Sequence, residues 1–73
     1  MEVKETFAKR IRELREDNGY GVRELADKMG ISHSSISQYE NLQRTPDIET
    51  AKKFADFFRV SGDYLLGLSD KRR

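Results

Sequence analysis

Residues 22 to 41, VRELADKMGISHSSISQYEN, constrain this chain more tightly than any other stretch, because two helical signals stand with room between them only for a tight turn. Val22, Leu25, Ala26 and Met29 recur at offsets of three and four, which gives a first short helix one apolar face. Gly30 follows, where a helix ends most easily because a residue without Cβ enters the left-handed conformation at little cost. After the turn Gly30-Ile31-Ser32, the Ser32 hydroxyl can cap the next helix.

That next helix is unusual for its surroundings. Charged residues make up 37% of the chain, yet the twelve residues from Ser32 to Gln43 carry only one formal charge, Glu40. Its outward side chains are expected to be His33, Ser34, Ser35, Ser37, Gln38 and Asn41. A helix that faces only water is usually built from Lys, Glu, Arg and Ala, whereas Ser and Asn favour other conformations. Something other than helix stability selects this face. Short hydroxyls and amides both donate and accept hydrogen bonds, the mixture that base-pair edges in the major groove of DNA require. Two helices joined by a short turn containing glycine form a helix-turn-helix, whose second helix can enter that groove.

Seventy-three residues make one small domain, near the lower limit for a single unassisted hydrophobic core. With no cysteine, neither disulfides nor a thiolate metal site can staple it, and a reducing compartment is natural. No stretch is long and apolar enough for a signal peptide or membrane span, so a soluble, cytoplasmic protein is expected. The net charge of +1 is by itself a weak argument for nucleic-acid binding, but its distribution matters more than its sum. Carboxylates are interleaved with basic residues almost everywhere except around the uncharged helix, where nothing repels phosphate.

Residues from about 4 to 18 read as a helix with Phe7, Ile11 and Leu14 on one face and Asn18-Gly19 as the stop signal. Arg15 lies on that face, one turn beyond Ile11. In the uncharged helix Ile36 points inward, and so does Glu40 one turn later. Two apolar faces therefore each end in a charge, and because an unpaired buried charge is costly, Arg15 and Glu40 are expected to meet. Leu42 to Pro46 reads as a polar loop. A helix from about 47 to 59 follows, capped by Asp47 or Thr45, with Ile48, Ala51, Phe54, Ala55 and Phe58 inward. Val60 closes it against the core, Ser61 caps a last short helix from Gly62 to Leu66, and Gly67 ends it. Residues 69–73 are expected to be a polar, frayed tail on a domain of residues 1–68. The fold class is all-α: five helices, the second and third forming the helix-turn-helix, with the largest hydrophobic residues on the first, fourth and fifth. Phe57 is out of phase with the inward positions, which suggests an exposed aromatic that either joins Leu66 or Leu68 in a dimer interface or packs against the last helix.

With these residues in place, the chain resembles the Cro and lambda-repressor-like helix-turn-helix family, also called the XRE family, from about Phe7 to Gly67. The likeness rests on IRELRE in the first helix, ELADKMGIS across the turn, SSISQYEN in the third helix, a proline six residues after Glu40, and VSGDYLLG near the end. The resemblance implies a compact five-helix bundle, homodimeric binding to a near-palindromic DNA operator, and transcriptional regulation. It also implies an inner salt bridge between Arg15 and Glu40, in agreement with the helical faces. At matching positions it implies base reading by Ser32, His33, Ser34, Ser37 and Gln38. Phosphate contacts fall on the start of the second helix at Val22 and Arg23, on Tyr39 and Asn41, and in the loop at Gln43 and Arg44; Ser35 fits either set. Two departures stand out. Gly21-Val22 replaces the polar cap and Gln that members often carry, leaving backbone amides for phosphate. Leu42 replaces the usual Gly after the third helix, which puts the left-handed exit there in question.

Gln38 is the foremost candidate for recognition, since its amide can pair with adenine. His33 reaches either guanine or phosphate, or is a spectator. Ser32 is first a cap, and Tyr39 either turns its hydroxyl toward phosphate or simply packs in the core. The readings in order are a DNA-binding transcriptional regulator, most simply a repressor, and a protein-interaction module of antitoxin or antirepressor type using the same bundle. An enzyme is disfavoured because there is no metal-ligand cluster, no phosphate-binding glycine loop and no nucleophile with a base. No cofactor, metal, membrane or small-molecule ligand is expected.

Overall fold

The computed structural model describes residues 2–73, and among them every regular element is helical: α1 (Val3–Asp17), α2 (Val22–Met29), α3 (His33–Glu40), α4 (Ile48–Phe58) and α5 (Gly62–Leu66). Short polar side chains begin three of them. Ser32, Asp47 and Ser61 each accept a hydrogen bond from the backbone N–H three residues on, which meets one of the donors that a helix start leaves free. Asp47, rather than Thr45, is thus the cap of α4.

All five helices end in one geometry. A residue with positive φ (Gly19, Gly30, Leu42, Arg59 and Gly67) turns the chain back, so that the following N–H reaches a carbonyl five residues earlier. These bonds run from Tyr20 to Arg15, Ile31 to Ala26, Gln43 to Gln38, Val60 to Ala55 and Leu68 to Asp63, at 2.8–3.0 Å. Leu42 therefore keeps the left-handed exit that its lack of glycine put in question, at φ 63°. The conformation costs a residue with Cβ about 1–2 kcal/mol, while glycine's extra freedom in the unfolded chain costs about 0.5–1 kcal/mol. At 43% exposed, Leu42 has little packing to lose. Leu42→Gly is accordingly expected to stabilise the domain by up to about 1 kcal/mol, a rise of several degrees in Tm. A lower Tm in a thermal melt would show that the leucine side chain packs better than its exposure suggests.

Every helix contributes to the core, a wider origin than expected: the largest fully buried side chains are Phe7 and Ile11 from α1, Leu25 from α2, Ile36 from α3, Phe54 from α4 and Leu65 from α5. α1 packs against α3 and α5, α2 against α3, and α4 against α5. Ile48 is a correction. Placed inward by its spacing from Ala51 and Ala55, it is 81% exposed. It is the first residue of α4, and helical side chains lean toward the N-terminus, which carries this one past the end of the core. Phe58 and Val60 are half-buried against the core.

The residues from Ser69 to Arg72 make contacts with the body of the domain. Arg10 of α1 donates to the carbonyls of Tyr64 and Ser69 and lies 3.3 Å from the Asp70 carboxylate. The Ser61 N–H donates to the Arg72 carbonyl, and Arg72 pairs with Asp17 at 3.3 Å. Arg10 and Arg72 both stack on the Tyr64 ring, so backbone and cation–π contacts hold what composition alone presents as a loose polar tail.

Candidate nucleic-acid interface

α3 is held by its inner face and presents its outer one. Ile36, Tyr39 and Glu40 are buried, while Ser32, His33, Ser34, Gln38 and Asn41 are exposed and Ser35 and Ser37 half-buried. The exposed set is uncharged, as the composition of the stretch dictates. Two contacts fix this orientation. The Tyr39 ring meets Phe7 of α1 and Phe54 of α4 edge to face, with centroids 5.4 and 6.1 Å away. Glu40 is gripped by Arg15, whose Nε and Nη2 donate to its two carboxylate oxygens at 2.8 and 2.9 Å.

The expected pairing of Arg15 with Glu40 is thus present, in the two-pronged form that a guanidinium allows. Arg15 also donates to the Tyr20 carbonyl at 2.9 Å. Its hydrogen bond to Glu40 holds its pKa above the ordinary arginine value, against the opposing effect of burial. Arg12 is a partner that the helical pattern did not single out. Its Nε reaches the same carboxylate at 3.1 Å from a half-exposed position, and its spacing of three from Arg15 was the available signal.

Ser32 acts as the cap, its Oγ accepting the Ser35 N–H at 3.2 Å and lying 2.9 Å from Ser35 Oγ. Arg44 Nη1 donates to Ser35 Oγ at 3.4 Å, which joins Ser35 to the loop rather than to the exposed face of α3. The Arg44 guanidinium stands 5.5 Å from the Tyr39 ring centroid. Asn41, Gln43 and Arg44 are exposed beside α3. Tyr39 itself is only 4% exposed, so its ring is a core element.

At the opposite flank, α2 starts at Gly21 with no side-chain cap, Val22 half-buried and Arg23 exposed. The first intrahelical donor is Leu25 N–H, which leaves the preceding amides of the turn without an intrahelical acceptor. Thr50 and Lys53 of α4 were not among the expected site residues, yet they line the same concavity as Arg44 and Ser35. Sequence spacing from α3 hides them, since only the turn of the loop brings α4 alongside. The Thr50 hydroxyl and N–H hold the Asp47 carboxyl below the usual carboxylate range.

Phe57 is half-buried rather than exposed: its ring lies 5.1 Å from that of Phe58 and 6.4 Å from that of Tyr20, in the loop between α1 and α2. The out-of-phase position is filled by an aromatic from that loop, which helical periodicity does not register. Leu66 is also half-buried, whereas Leu68 is 73% exposed.

Residues 11–65 match the family model described as Helix-turn-helix (HTH_3). The chain is 40% identical over 62 residues to the HTH-type transcriptional regulator ImmR of Bacillus subtilis, covering 85% of this chain and 49% of the relative. It is 38% identical over 66 residues to the HTH-type transcriptional regulator SinR of Bacillus licheniformis, covering 89% and 60%. The chain thus spans about half to three-fifths of the length of these relatives. Among solved structures, the restriction-modification controller protein C.AhdI from Aeromonas hydrophila superposes with a TM-score of 0.75 at 27% identity, covering 85% of this chain and 94% of that one. A hypothetical transcription factor NHTF from Neisseria shares the fold, with a TM-score of 0.82 at 23% identity over 89% of this chain and 75% of that one.

Proposed function

The chain belongs to the XRE-type helix-turn-helix (HTH_3) family, and from that premise we propose that it is a sequence-specific DNA-binding transcriptional regulator that places α3 in the major groove. The observation that carries this reading is the outer face of α3, where exposed hydroxyls and amides stand on a helix whose inner face is fixed by Tyr39 and Glu40. Residues 1–68 form the DNA-binding domain. Ser32, His33, Ser34, Ser37 and Gln38 approach base edges, with Ser32 also serving its cap. Arg44, Ser35, Asn41, Gln43, the Tyr39 hydroxyl and the amides of Val22 and Arg23 set the register on phosphates.

The regulator acts as a homodimer and repressor on a near-palindromic operator, its two reading helices entering successive major grooves about 34 Å apart. The second copy meets this one through exposed Leu68 together with the half-buried Leu66 and Phe57. The DNA target places the protein in the cytoplasm on the nucleoid, and no helix among the described residues is long and apolar enough to cross a membrane.

Selection of bound duplexes from a random pool tests the function: an enriched symmetric half-site supports it, and a pool that stays random removes it. On the selected operator, Gln38→Ala is expected to cost about 1–3 kcal/mol and relax preference at one base pair. Equal weakening on operator and random DNA would assign Gln38 to the backbone instead.

A further inference from the structure

We propose that the groove between α1 and the exit of α3 docks a basic, amphipathic segment of another protein, with Leu42 as the apolar contact and Glu13 and Glu16 on the charged rim. The inference does not depend on the DNA-binding reading. From α3 the groove draws only Glu40, a residue of the inner face, and its charge is unsuited to phosphate.

Leu42 supplies the first observation. It holds φ 63° in the left-handed region, where a residue with Cβ is strained, and it remains exposed while doing so. Glycine would make the same turn freely, and the core gains little from the leucine in exchange. Residues kept in such a conformation cluster at surfaces that hold a ligand. Arg59 shares the conformation at the exit of α4, but an exposed guanidinium is satisfied by water where an exposed leucine is not.

The second observation is what surrounds Leu42. It lines a concavity of about 370 Å³ whose other wall is the stripe of α1 running from Glu5 to Glu16. Ala8 in that stripe is buried and short, which leaves room beside Leu42 for an incoming apolar side chain. The rim is acidic. Arg12 and Glu40 neutralise each other at 3.1 Å, and the remaining charges are the carboxylates of Glu5, Glu13 and Glu16 against the ammonium of Lys9. Lys9 stands one turn from both Glu5 and Glu13, yet none of these carboxylates forms an ion pair among the described residues. All three are exposed, open to cations from outside the domain.

That charge decides the occupant. It repels DNA, and a second copy meeting the groove with the same face would set the carboxylates against themselves. A matching partner presents an apolar side chain to Leu42 and Ala8, with lysine or arginine on either side. The stripe from Glu5 to Glu16 is about 16 Å long, the length of about three turns of a partner helix.

The test selects phage-displayed random 16-residue peptides on the immobilised chain, then titrates the enriched peptide by fluorescence anisotropy. Enrichment of a leucine, isoleucine, methionine or phenylalanine flanked by lysine or arginine is expected, with Kd on the order of micromolar for so small an interface. Leu42→Gly should weaken the peptide at least tenfold while raising Tm, so the loss is not one of folding. Glu13→Gln with Glu16→Gln should weaken it several-fold and flatten its salt dependence. Amide NMR shifts should fall on Ala8, Lys9, Glu13 and Leu42. Failure to enrich any motif, or peptides that bind Leu42→Gly as tightly as the wild type, would overturn the docking site. A lower Tm for Leu42→Gly would overturn it as well, since the leucine would then be kept for the fold.

Discussion

Replacing Glu40 with alanine is expected to destabilise the domain by about 3 kcal/mol, the low end of the range for breaking a buried ion pair. The Glu40 side chain is 3% exposed and accepts from two guanidiniums, Arg15 with a side chain 13% exposed and Arg12 at 49%. Once the carboxylate is gone, Arg12 turns to water, but Arg15 keeps a largely buried charge whose remaining partner is the Tyr20 carbonyl. Stranding that charge is what makes the loss large. Changing both members, Arg15→Met with Glu40→Met, should therefore recover more than half of the loss, because apolar side chains of similar volume tolerate the same surroundings. The recovery is incomplete, since the Tyr20 carbonyl loses its donor. Denaturant titration of Arg15→Met, Glu40→Met and the double variant measures the coupling directly. Simple additivity of the two single substitutions would mean that the pair does not act as a unit.

This ion pair was legible in the sequence because both members fall one turn beyond an apolar residue on an otherwise apolar face. The capping serines, the Gly30 turn and the bounds of α2 and α5 were legible for a similar reason: each depends on residues within a few positions of one another. What lay beyond reach depends on contacts between segments distant in the chain. Periodicity leaves Phe57 open between an exposed position and packing against α5 because it describes one helix alone, and the Tyr20 ring that shelters it belongs to another segment. The strap from Ser69 onward is held by Arg10 and Asp17, more than fifty residues earlier, through backbone carbonyls and two ion pairs that leave no pattern in local composition. Lys53 reads as an ordinary solvated lysine until α4 is laid beside the Arg44 loop. Leu42 shows the converse: a missing glycine changed the energetics of the exit from α3 without changing its path.

Phe54→Ala is expected to have the largest effect on stability, about 4 kcal/mol within the usual range for removing a buried phenylalanine. Phe54 is fully buried and closes a triad with Phe7 and Tyr39, in which every pair is edge to face with centroids 5.4 to 6.1 Å apart. Its removal costs burial, opens a cavity between α1, α3 and α4, and takes from Tyr39 one of the two rings that position α3. A domain of this size has only about 4–11 kcal/mol in hand, so the substitution removes a third or more of it, and at the low end about half of the variant population is unfolded. Phe54→Leu, which leaves a smaller cavity than alanine but loses two aromatic contacts, should cost about 1–3 kcal/mol and remain folded. Because DNA binds the folded form alone, lost stability lowers apparent affinity by the fraction folded, equally on operator and random duplex, and saturating operator should raise Tm. Gln38→Ala should do the reverse, leaving Tm untouched and reducing operator affinity alone. If Phe54→Leu instead loses operator affinity while fully folded and unchanged on random DNA, the triad sets the angle of α3 in the groove as well as anchoring it.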